Sequence, residues 1–142
     1  MRRFRLTSTV LGPERHIELR VYRTRGWMRR VCHGITGDPL DLRADGVTHL
    51  YRSEADPRDA LAFVYLCCPA LSVEVVAHEL HHATLGIYGA LVDPETPVPE
   101  VLTNGNEELA HMFSEALVST LETLAQSGYE IDGYRPWWVA AP

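Results

Sequence analysis

Lysine is absent from this 142-residue chain: all 13 basic residues are arginine. That is a trait of composition and points to no particular chemistry. Cysteine is scarce, with only Cys32, Cys67 and Cys68. The count is odd, two are adjacent and no C-x-x-C occurs, which argues against a disulfide framework and against a cysteine-based zinc site. A reducing cytoplasm is the expected compartment. Cys67 and Cys68 lie inside an apolar run and are expected to pack as small hydrophobes. No window approaches 18 consecutive apolar residues, so no transmembrane helix and no membrane partner are expected. The basic first residues reach Glu14 without an apolar core, so they do not read as a secretory signal.

Apolar residues make up 46% of the chain and charged residues 23%, which excludes wholesale disorder. The length suits a single domain over residues 1–142 with a core of its own. Charge is uneven: residues 1–58 carry net +5, and residues 59–142 carry net −11. A basic half can serve a nucleic acid. The arginines alternate with apolar residues as on a solvated sheet face, and that reading is preferred here.

Residues 1–68 read mostly as strands. Ile17, Leu19 and Val21 alternate across 16–23, Arg25-Gly26 resembles a tight turn, and 27–32 is expected to return as the second strand of a hairpin. Residues 33–46 read as loop, 47–52 as a short strand and 61–68 as a buried strand. Helical spacing takes over at 72–128. Ser72 is a candidate N-cap, Val73, Val76, Ala77, Leu80 and Leu85 form a stripe, and Gly86 and Gly89 suit its end. After a proline-bearing loop at 91–103, Asn104 or Asn106 can cap a second helix. Its stripe is Leu109, Phe113, Ala116, Leu117, Thr120, Leu121 and Leu124, stopping near Gly128. Residues 129–142 form an aromatic tail expected to pack back on the domain. The expected fold is α+β, a small N-terminal antiparallel sheet packed on two or three helices.

Residues 78–82 read His-Glu-Leu-His-His and contain H-E-x-x-H. Residues four apart lie one turn apart on a helix, so the imidazoles of His78 and His82 can converge on one ion. Glu79 projects about 100° round the axis, where its carboxylate can take a proton from a zinc-activated water. Two histidines and an acid in the middle of an apolar helix need a reason, because burying them without partners is costly. Tetrahedral zinc needs a third protein ligand. The metzincin continuation would place it where this chain has Tyr88, after Leu85 in place of glycine, and that class is excluded.

The next acidic helix start, Asn106-Glu107-Glu108-Leu109-Ala110-His111, resembles the thermolysin-like (gluzincin) arrangement. The resemblance implies Glu107 as third ligand and puts His111 at the family's outer acid position. A closer resemblance is to small ImmA/IrrE-type metallopeptidases of phages and prophages. It is carried by Val76-Ala77-His78-Glu79-Leu80-His81-His82 and by Glu107 to Leu117, and covers roughly residues 61–125. It implies a zincin-like site between the H-E-x-x-H helix and the following helix, a Zn²⁺ cofactor and cytoplasmic hydrolysis of a protein or peptide substrate. Glu79 is then the base, and His78, His82 and Glu107 the ligands. Glu108 and His111 remain alternative ligands, with His111 also able to support a ligand by hydrogen bonding. His81 is expected off the ligand face. The rival readings are a zinc-binding protein-interaction module with little or no hydrolysis, and a nucleic-acid surface in the arginine-rich half.

Overall fold

The computed structural model describes residues 1–10, 12, 15–50, 60–91 and 107–139, and the side chains of residues 90, 91, 107 and 108 lie outside that description. Its described residues form an α+β fold, with a four-stranded sheet and three helices. The strands are β1 (Arg2–Leu6), β2 (His16–Tyr22), β3 (Gly46–Leu50) and β4 (Ala60–Cys67), in the order β1-β2-β4-β3. The helices are α1 (Arg25–Thr36), α2 (Val73–Leu91) and α3 (Glu107–Gln126).

The sheet is mixed rather than wholly antiparallel. β1 and β3 run antiparallel to their neighbours, but the central pair, β2 and β4, is parallel. A parallel pair needs a crossover, and α1 lies on that path. This corrects the expected hairpin over 16–32. Residues 27–32 are helical, and the partners of β2 are β1 and β4. The run Trp27 to Cys32 is too short for periodicity to separate strand from helix. The end signals decide it. The Thr24 hydroxyl accepts the Trp27 N–H, and Gly37 at φ 74° closes the helix by donating to the His33 carbonyl. Met28 and Cys32, one turn apart, are its buried residues. The expected loop therefore starts only at Gly37, and a short 3-10 turn, Pro39–Leu42, interrupts it.

β4 reads as a continuous apolar run because it is central and covered on both faces. Ala62, Val64 and Leu66 join Ile17, Leu19 and Val21 under α2 and α3, where Val76, Leu80, Ala83, Ile87, Met112, Ala116 and Leu124 meet them. Tyr65 and Cys67 face the other way, into a smaller cluster with Tyr22, Met28, Cys32 and Val47 under α1.

The α2 start matches expectation, with the Ser72 hydroxyl accepting the Val75 N–H at 3.1 Å. Its end does not, since the helix continues through Gly86 and Gly89 to Leu91. Gly86 permits close approach rather than termination: a Cβ there would collide with the Leu50 side chain of β3. The 92–103 loop and the Asn104 or Asn106 caps lie outside the described residues. α3 carries the expected stripe and ends before Gly128, at φ 82°. The tail returns as expected in its first part. Ile131 is buried, and Val73 N–H donates to the Asp132 carbonyl at 2.9 Å while Asp132 N–H donates to Leu71. Trp137, in contrast, stays 84% exposed. No helix among the described residues is long and apolar enough to cross a membrane.

Candidate metal centre

The Ser72 cap and the buried stripe fix the rotation of α2, and that rotation decides where its polar residues point. With Val76, Leu80, Ala83 and Ile87 against the sheet, His78 and His82 fall on the exposed side and Glu79 falls toward β3. The two imidazoles converge: His78 Nε2 and His82 Nε2 are 3.2 Å apart, with their rings edge to face. Two zinc–nitrogen bonds of roughly 2.0–2.1 Å at a tetrahedral angle set their nitrogens about 3.3 Å apart. The pair is therefore spaced to share one tetrahedral ion.

Glu79 is only 6% exposed. Thr48 Oγ1 on β3 stands 2.8 Å from both Glu79 Oε2 and the Glu79 carbonyl oxygen. Its single proton serves one of them at a time. Gly46, two residues earlier on β3, leaves room for the carboxylate, since a Cβ there would lie 2.6 Å from Glu79 Cγ. Burial pushes the Glu79 pKa up, while the Thr48 hydrogen bond and the charges of His78 and His82 pull it back. A carboxyl group raised above its usual range is suited to general-base work. A cleft of about 390 Å³ opens at this point, lined by Asp45, Gly46, Glu74, Val75, His78 and Glu79 among others. Sequence reasoning did not find Thr48 or Gly46. They stand 31 and 33 positions before Glu79, and neither belongs to a motif.

β3 lies at the edge of the sheet, so one side of its backbone is unpaired by the other three strands. That edge runs beside α2, from Glu79 near Gly46 and Thr48 to Gly86 under Leu50.

The other candidates are distributed along α2 and α3. Glu107 is the first residue of α3 and Glu108 the second, and both carboxyl groups lie outside the described side chains. His111, one turn on, is exposed. His81 faces α3, its ring edge-on to Phe113 at 6.0 Å. Among the described residues, no group of three or more potential ligands comes together. Several arginines are engaged within the chain: Arg3 and Arg20 with Glu18, and Arg25 and Arg29 with Asp45.

No known protein family matches the chain, and searches of curated proteins and of solved structures returned no match.

Proposed function

We propose that this protein is a zinc-dependent peptidase. His78 and His82 hold the metal together with an acid at the start of α3, Glu107 in preference to Glu108, and Glu79 is the base. The observation that carries the reading is the pair of Nε2 atoms 3.2 Å apart beside a buried carboxylate. Bound there, zinc would supply Lewis acidity and bring the pKa of water to roughly 7. Glu79, oriented by Thr48, accepts the proton of the attacking water and delivers it to the leaving amine. The outer edge of β3 takes an extended peptide by strand addition, its main chain held by backbone hydrogen bonds. In this reading His111 supports the α3 ligand. The cytoplasm is the proposed compartment, since three unpaired thiols suit reducing conditions.

Elemental analysis of the wild type, Glu107→Ala and Glu79→Gln, together with peptide hydrolysis assays, tests the assignment. The wild type should carry one zinc per chain and Glu107→Ala much less. Glu79→Gln should keep the metal and lose at least about 100-fold in turnover. Full zinc with no hydrolysis by the wild type would instead establish a zinc-binding interaction module. Absence of zinc from the wild type would overturn both.

A further inference from the structure

A second cavity, of about 580 Å³, lies on the opposite face of the sheet from α2. It is walled by three consecutive residues of β3, Thr48, His49 and Leu50, by Phe63 and Tyr65 of β4, and by Ile35 at the end of α1. Three successive residues of an edge strand line a cavity only if it borders the strand itself as well as its side chains. A peptide added to that edge projects alternate side chains to the two faces of the sheet. Those on one face lie over the cleft with His78 and Glu79, and those on the other reach this cavity.

The lining indicates what fits. Ile35 is 56% exposed and Phe63 half-buried, an apolar rim on this face, whereas the Leu50 side chain lies on the other face, against Gly86. Arg20 also lines the cavity, but its guanidinium lies on the Phe63 ring at 4.3 Å and is paired with Glu18. Its charge is thus offset locally. The His49 ring packs 5.0 Å from Tyr65. Its two nitrogens are enclosed without a hydrogen-bond partner among the described residues, Asp41 Oδ2 standing 3.7 Å from Nε2, and burial lowers its pKa. The imidazole is therefore neutral near pH 7 and presents a ring rather than a charge.

From this lining we infer that the cavity is a specificity pocket for a bulky apolar or aromatic side chain of a peptide bound along β3. The inference rests on the proposed role of that edge in peptide binding. At about 3.3 Å per residue, the distance from Gly46 to His49 puts the selected side chain within about three residues of the cleaved bond.

Capture from a random peptide library tests this. The Glu79→Gln protein serves as bait because it should bind without turnover, and retained sequences are read by mass spectrometry. Enrichment of Phe, Tyr, Leu or Met at one position, at least fivefold over the library, is expected. Ile35→Asp should abolish that enrichment, and Ile35→Trp, which fills the cavity, should shift it to small residues; both should leave zinc content unchanged. No positional enrichment, enrichment of acidic residues, or enrichment indifferent to both substitutions would overturn the pocket. Zinc content separates the two readings: apolar selection by a protein that carries no zinc would sink the peptidase and leave the pocket standing.

Discussion

On one face of the sheet, α2 and α3 bury Ile17, Leu19, Val21, Ala62, Val64 and Leu66 in one apolar cluster. On the other, among the described residues, α1 covers the end that holds Tyr22, Val47, Tyr65 and Cys67, and the rest of the face presents Arg3, Glu18, Arg20 and the half-buried Phe63. The closed face provides the rigid platform on which α2 is rotated, and so fixes where His78, Glu79 and His82 point. The half-open face contributes less burial and leaves a cavity against β3. Glu79 sits at the boundary between the two, gripped by the edge strand that both share. Stability and the inferred recognition are thereby divided between the faces, while the proposed chemistry sits at their common edge.

The closed side should carry the larger share of stability. Leu80→Ala removes a fully buried side chain between α2 and the sheet and should cost about 2–5 kcal/mol in urea unfolding. Ile35→Ala, at the rim of the open face, should stay within about 0.5 kcal/mol of wild type. Equal losses would show that the two faces bear stability alike.

At the shared edge, Gly46→Ala forces a methyl group against Glu79. It should destabilise by about 1–3 kcal/mol through overpacking. It should also reduce hydrolysis without changing zinc content, because His78 and His82 are not in its path. Unchanged turnover would mean that Glu79 does not need its observed position.

The smallest effect belongs to His49. Burial lowers its pKa, with Asp41 opposing. A folded value below the unfolded one means that the unfolded chain takes up the proton first. The His49 contribution is therefore complete above about pH 6.5 and lost as pH falls from there through the folded value. His49→Phe, which keeps a ring against Tyr65, should flatten the loss of stability between pH 7.5 and pH 5. Parallel urea midpoints for the two proteins at both values would measure it; an unchanged slope would show that His49 is not a source of the acid sensitivity.

Parts of this arrangement were legible in the residues. β4 announced itself by a continuous apolar run, β2 by alternation, and α2 and α3 by stripes with a Ser72 start and a Gly128 stop. The pairing of His78 with His82 follows from helical pitch alone. α1 was hidden because six residues from Trp27 to Cys32 fit either period, and its Thr24 and Gly37 caps carried the decisive information. β1 gave too short a pattern, with arginines on both sides of Phe4. Gly86 suggested a helix end, and only the Leu50 side chain resting there explains why glycine is present.

By itself the sequence determined that an H-E-x-x-H segment lies on an amphipathic helix beside a buried strand, because periodicity and capping are local and act within a few residues. The packing of distant segments settled that β2 and β4 run parallel and that β3 is an edge strand among the described residues. It likewise decided that Thr48 and Gly46 hold the Glu79 carboxylate. Those facts depend on which distant segments pack together, and the energy that selects the pairing is spread over the whole core rather than written at the residues that meet.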